Sequence, residues 1–160
     1  MEKLVKLLRQ NARLSNAELA QMLGVTESEI AAQIQKLEDD GIIVGYGAII
    51  NEEKLGANTV TALIEVKVAL KSNCSYRDIA AKIAQFPEVE SVRLMSGAFD
   101  LALTVKCKDV IKLGRFVQEK IGTLNGVHST ATHFIIGRYK ELSTIIDNND
   151  DEDEREMVSP

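Results

Sequence analysis

Leu14-Ser15-Asn16-Ala17-Glu18-Leu19 and Val25-Thr26-Glu27-Ser28-Glu29-Ile30 are one phrase written twice in close succession. In each, a hydroxyl residue is followed three positions later by an acid, the pattern of a capping box in which hydroxyl and carboxylate satisfy each other's backbone amides. The flanking apolar pairs, Leu14 with Leu19 and Val25 with Ile30, stand at hydrophobic-staple positions. Two helix starts with Gly24 between them predict a helix-turn-helix, whose second helix is the one that enters a DNA major groove. Thr26 to Asp39 is therefore the candidate reading helix.

The apolar period Ile30, Ile34, Leu37 stops at Asp39-Asp40-Gly41, where glycine ends a helix naturally. A short strand is expected at Ile42-Ile43-Val44. Gly45, Gly47, Asn51 and Gly56 then read as a linker. From Thr59 the period changes to two, with Val60, Ala62, Ile64, Val66 and Val68 on one face of a strand. A helix capped by Ser75 and ended by Pro87 follows, then a strand from Val89 to Met95, a turn at Ser96-Gly97-Ala98, and a strand from Phe99 to Cys107. Asp109 caps a further helix, and His128 to Gly137 supplies a last strand. Ile83 to Val89 lines up with Ile121 to Val127 at a constant offset, which marks a duplicated βαβ unit. Such a pair makes a ferredoxin-like βαββαβ domain with both helices on one face of the sheet. The other face, half apolar at Leu63 and Ala102, is expected to bind a second copy of the chain.

Composition bounds the possibilities. The 160 residues are 45% hydrophobic with few aromatics, as in a globular chain, and no apolar run approaches the roughly 20 residues of a membrane span. A cytoplasmic protein is expected. Cys74 and Cys107 have no neighbouring Cys or His at metal-ligand spacing, so neither a disulfide nor a zinc site is expected. Residues 1–46 hold five basic and seven acidic side chains, residues 47–146 thirteen and ten, and residues 147–160 one and seven. The run from Asp147 to Glu154 predicts a self-repelling acidic tail. The expected organisation is a helix-turn-helix domain over 1–46, a linker over 47–58, a ferredoxin-like domain over 59–142 and a disordered acidic tail over 143–160.

With these pieces in order, the chain resembles the Lrp/AsnC family of feast/famine transcription regulators over residues 1–142. The resemblance rests on Asn11-Ala12-Arg13-Leu14-Ser15, Glu18-Leu19-Ala20, Gly24-Val25, Ile34-Gln35-Lys36-Leu37-Glu38 with Gly41-Ile42-Ile43, Tyr46-Gly47-Ala48-Ile49-Ile50-Asn51 with Leu55-Gly56, and Ser96-Gly97-Ala98-Phe99-Asp100-Leu101. It implies an α+β protein, an N-terminal winged helix-turn-helix joined to a ferredoxin-like domain that dimerises through its sheet, assembles further and binds amino acids between dimers. The implied function is a metabolite-responsive, sequence-specific DNA-binding regulator acting as a homo-oligomer.

The resemblance has two departures. The family's first helix usually begins earlier than Met1-Glu2-Lys3-Leu4-Val5, so some packing of that helix is expected to be lost. Family members also commonly carry arginines where this chain has Ala31, Ala32 and Gln33, leaving Lys36 as the reading helix's sole basic residue. Phosphate neutralisation supplies nonspecific DNA affinity, so each head is expected to bind weakly, with avidity from the oligomer making up the difference.

Ser15, Asn16, Thr26, Ser28, Ala32, Gln33, Gln35 and Lys36 are the candidate DNA-contacting residues, glutamine being suited to adenine and helix N-terminal amides to phosphate. By resemblance, the effector site comprises Met95, Ser96, Gly97, Ala98, Phe99 and Asp100 with Thr130 and Thr132. Backbone amides near Gly97 suit a carboxylate, and Asp100 or the threonines an amino group. An ordinary glycine turn capped by Asp100 accounts for the same loop. No catalytic triad, phosphate-binding glycine loop or spaced carboxylate pair appears, so neither an enzyme nor a cofactor is expected. The competing function is an amino-acid-sensing partner without autonomous DNA binding that co-assembles with a basic paralogue.

Overall fold

The computed structural model describes residues 1–69 and 75–146, and the described residues divide into two compact units, Met1–Ile50 with Tyr139–Ile146, and Asn51–Arg138. Cys74 and the acidic run from Asp147 lie outside the described residues.

In the first unit α1 spans Glu2–Gln10, α2 Asn16–Leu23 and α3 Glu27–Asp39. Both capping boxes form. The Ser15 hydroxyl accepts from the Glu18 amide at 3.2 Å while the Glu18 carboxylate accepts from the Ser15 amide at 2.7 Å, and Thr26 and Glu29 repeat the arrangement at 3.2 and 2.8 Å. Gly24 ends α2 at φ 67°, a left-handed conformation that glycine adopts without steric cost. Leu4, Leu8, Leu19, Ala20, Ile30 and Leu37 form the core, with the staple residues Leu14 and Val25 packed against it.

The strand expected at Ile42-Ile43-Val44 is absent. The amides of Ile42 and Ile43 both donate to the Leu37 carbonyl, at 2.9 and 3.0 Å, which closes the end of α3 instead. Only Ile43 of the three packs on the core, while Val44 is 93% exposed. The β structure of this unit, among the described residues, is a hairpin of β5, Lys140–Glu141, and β6, Thr144–Ile145. A disordered tail from 143 is therefore corrected for residues 143–146, because Thr144 and Ile145 pair across the hairpin and Ile146 is buried. Leu142 and Ser143 both stand at positive φ, as a two-residue type I′ turn requires.

In the second unit β1 spans Val60–Val68, α4 Tyr76–Ile83, β2 Val89–Leu94, β3 Leu101–Cys107, α5 Val110–Phe116 and β4 Val127–Phe134. One π-helical stretch, Val117–Ile121, continues α5. The sheet is antiparallel in the order β2-β3-β1-β4, the ferredoxin-like arrangement. Ala62, Ile64 and Val66 lie fully buried beneath Ile79, Ile83, Leu113, Phe116 and Ile121 of the helices. Phe86 meets Phe116 edge to face at 5.5 Å.

Register fixes what each face carries. Ile64 stands between Leu103 and Thr132, and Val66 between Leu101 and Thr130, so both threonines point to the helical side on the edge strand β4. Leu63 stands between Thr104 and His133, and Glu65 between Ala102 and Ala131, so these residues share the open face.

Candidate functional site: the reading helix and the effector loop

At about 100° per residue, Ala32 lies roughly 160° around α3 from the buried Ile30 and about 140° from the buried Leu37. Ser28, Ala32, Gln35 and Asp39 thus form one exposed stripe opposite the core, with Lys36 beside it. Gln35 donates to the Asp39 carboxylate at 3.0 Å, so the stripe's amide and its acid are already paired.

Gln33 does not belong to this stripe. It is half-buried and lines an open depression of about 500 Å³ with Met1, Glu2, Lys3, Leu4, Leu23 and Val25, because its position on the helix turns it toward the start of α1. Ser15 and Thr26 are exposed, but their hydroxyls hold the caps and donate to Glu18 and Glu29 at 2.7 and 2.9 Å. Asn16 is the exposed first residue of α2.

The same bonds shape the electrostatics. The Ser15 amide and then its hydroxyl hold the Glu18 carboxyl below its ordinary range, and the Thr26 amide and hydroxyl do so for Glu29. Both carboxylates stay ionised near neutral pH, so a protein anion already occupies the N-terminal end of α3, where a phosphate would otherwise bind. Lys3, Lys6, Arg9 and Arg13 are exposed cations elsewhere in the unit.

The candidate effector residues fall into two groups. Met95 to Asp100 join β2 to β3, with Gly97 at φ 144° and Ser96, Gly97 and Ala98 exposed, while Phe99 is half-buried. Asp100 is engaged at both ends. Its amide donates to the Val66 carbonyl at 3.0 Å, its carbonyl accepts from the Met95 amide at 2.8 Å, and its carboxylate accepts from the Val68 amide at 2.7 Å. The Tyr76 hydroxyl also bonds to Asp100, which raises the Tyr76 pKa. Asp100 therefore ties the loop to the end of β1 and the start of α4.

Thr130 and Thr132 line a separate depression of about 480 Å³ with Gly114, Val117, Gln118, Gly122, Val127, His128 and Ser129. None of Met95–Asp100 lines it. Leu101 and Thr130 flank Val66 on opposite sides, which sets them two strand spacings, roughly 10 Å, apart. Within one protomer the two groups do not meet.

Gln118, His128, Ser129 and two glycines line the same depression and were not among the candidates the sequence offered. On the helical wall of the depression, Gly114 and Gly122 present no side chain, and Val117 and Gln118 stand between them. The Gly122 amide donates to the Val117 carbonyl at 2.8 Å, the i→i+5 bond of the π-helix. His128 sits where the β1–β4 register shifts, so residue-by-residue alternation does not place it. His133 instead faces the open side, its Nε2 3.4 Å from Glu65.

Among the described residues, no group of three or more His, Cys, Asp and Glu is placed to hold a metal ion, and no helix is long and apolar enough to cross a membrane. Cys107 is a buried free thiol whose pKa is raised, first by burial and then by Glu88 and Asp109.

Residues 2–44 match the family described as winged helix-turn-helix DNA-binding, and residues 61–145 match the Lrp/AsnC ligand binding domain. The chain belongs to the Lrp/AsnC family. It is an Lrp/AsnC-type helix-turn-helix transcriptional regulator with a ligand-binding domain.

The HTH-type transcriptional regulator YugG of Bacillus subtilis is 39% identical over 158 residues, covering 98% of this chain and 95% of that protein. The proline dehydrogenase transcriptional activator of Rhizobium radiobacter is 30% identical, covering 87% and 88%. Among solved Lrp/AsnC-like structures, the Neisseria meningitidis regulator NMB0573 in complex with L-Met superposes with a TM-score of 0.72 at 26% identity, covering 92% of this chain and 94% of that one. AsnC of Escherichia coli superposes at 0.66 with 26% identity, covering 86% and 91%.

Proposed function

We propose that this regulator reads DNA with the exposed stripe of α3 and answers to an amino acid bound at the ligand-binding domain. The stripe Ser28, Ala32, Gln35 with Lys36 beside it carries the DNA assignment, since it is the surface of α3 that faces away from the core. Asn16, exposed at the start of α2, flanks it as a phosphate contact, while Ser15 and Thr26, whose amides and hydroxyls are given to Glu18 and Glu29, act by fixing the two helix starts. Gln33 contributes from the margin. The head is poor in positive charge, so paired heads in an oligomer supply the affinity that one lacks.

The effector assignment rests on the depression holding Thr130 and Thr132 and on the open loop Met95–Asp100. A homologous fold in complex with L-Met supports an amino acid as the ligand class. Because the two groups lie apart in one protomer, a site using both takes one from each of two copies. The open sheet face, with Leu63, Ala102 and Ala131 around Glu65, is the surface offered for dimerisation, and dimers assemble into higher oligomers. The protein acts in the cytoplasm, uses no cofactor and is not an enzyme.

A salt series of mobility shifts on the DNA upstream of its own gene tests the DNA assignment. A salt-sensitive shift is expected, and no shift at low salt up to high micromolar protein refutes it. Thermal-shift measurements across the common amino acids test the effector, because saturation at 100 times Kd stabilises by about 2.7 kcal/mol.

One observation favours a second function. Asp39 lies in the reading stripe and Glu29 occupies the N-terminal end of α3, an acidic surface that suits an amino-acid-sensing partner co-assembling with a basic paralogue. Mixed oligomers on co-expression support that role, and their absence counts against it.

A further inference from the structure

Both polypeptide connections between the two units pass close to one carboxylate. The units divide between Ile50 and Asn51 and again between Arg138 and Tyr139. Glu52 follows the first division, and its Oε1 lies 2.5 Å from the Lys106 ammonium and 3.7 Å from the guanidinium of Arg138, the last residue before the second division. Its Oε2 accepts from the Thr59 hydroxyl at 3.2 Å.

The anchor is the sheet itself. Lys106 belongs to β3, pairs in register with Thr61 of β1, and also approaches Glu90 of β2 at 3.9 Å. Glu52 projects from a turn closed by its own backbone, the Leu55 amide donating to Asn51 and the Ala57 amide to Glu52 at 3.2 and 3.1 Å. The carboxylate is thus held from behind while it holds two cations in front. The side chains of Glu52, Lys106 and Arg138 are between 22% and 31% exposed, so solvent screens the group less than a fully exposed pair.

We propose that Glu52 is a positioning residue that ties the two connections to each other and to β3, fixing the points from which the chain leaves the ligand-binding domain. The consequence reaches DNA binding. An oligomer engages two half-sites only at a span its connections allow, and the effective concentration of the second head falls as those connections loosen. Glu52→Gln keeps the shape and an acceptor for Thr59 but removes the attraction for both cations. Lys106→Met removes the anchor and leaves the carboxylate.

Hydrogen exchange on the full-length protein without DNA tests the tie directly. Each single variant is expected to raise exchange severalfold in peptides covering 45–58 and, together with them, 136–140, while β1 and β3 peptides keep wild-type protection. The double variant is expected to exchange no faster than either single, as one network requires. The proposal is overturned if Glu52→Gln loosens 45–58 but leaves 136–140 unchanged, if Lys106→Met moves neither peptide, or if the two effects add. If Glu52→Gln opens the whole domain, Lys106→Met decides the matter through the same peptides.

A second readout rests on the assignment of α3 as the paired reading head. On duplexes carrying two copies of a site selected by the protein from a random pool, at spacings stepped by one base pair, wild type is expected to prefer spacings in phase with about 10.5 base pairs. Glu52→Gln flattens that preference and leaves single-site binding unchanged. A preserved preference overturns the proposal, whereas failure of wild type to select any site refutes the assignment of α3 and leaves the exchange result standing.

Discussion

Replacing Ala32 with Arg puts a cation at the centre of the stripe of α3 that faces away from the core. Arginine is nearly as good a helix former as alanine, and the site is exposed, so folding is little affected. If the stripe enters DNA, one added phosphate contact per head steepens the slope of log K against log salt by about 0.9, and two heads steepen it by roughly 1.8. Over a fourfold rise in salt, from about 50 to 200 mM, the variant then loses about 12-fold more affinity than wild type. Gln33→Arg is the control, because its side chain starts from the depression beside Glu2 and Lys3 and adds much less slope. Fluorescence anisotropy with a labelled duplex across a salt series reads both slopes. If Gln33→Arg steepens the slope and Ala32→Arg does not, α3 meets DNA by another face and the stripe is misassigned.

Thr26→Ala removes the hydroxyl that caps α3 and is expected to cost about 1 kcal/mol, seen as a lower urea midpoint with an unchanged m-value. Asp100→Ala leaves the Val68 amide without its acceptor and costs roughly 1–3 kcal/mol, whereas Asp100→Asn retains an acceptor there; if the carboxylate also binds an amino group, Asn abolishes the amino-acid thermal shift while keeping most of the stability. The Lys106 hydrogen bond, then the charges of Lys106 and Arg138, hold Glu52 below its ordinary value of 4.5, with Glu90 the acid facing the same lysine. Its stabilisation is complete above that value and is lost as pH falls through the lower folded one, so stability measured from pH 6 downward declines less steeply in Glu52→Gln than in wild type.

Legibility from sequence followed the distance over which each decision is made. The caps at Ser15, Thr26, Ser75 and Asp109 were readable because a hydroxyl or carboxylate meets an amide three residues away. Turn chemistry was readable only where the usual residues stand in it: Gly24 announces its turn, while Leu142-Ser143 adopts a type I′ turn without the Asn-Gly that signals one. Ile42-Ile43-Val44 has strand composition, yet no strand forms there, because the Leu37 carbonyl draws the chain into the helix end.

By itself the sequence determined the capped helix-turn-helix, the order of helices and strands within the ferredoxin-like domain and the alternation that splits β1 into a buried and an open face, since these depend on periodicity and on contacts a few residues long. Only the tertiary structure decided that Gln33 turns from the reading stripe, that Asp100 is engaged by an amide 32 residues away, that Thr130 and Thr132 lie across the sheet from the loop, and that Glu52 meets a lysine 54 residues on. The physical reason is register: pairing β1 with β3 and β4 brings distant side chains to one place, and a shift of a single residue would exchange the faces of every strand involved.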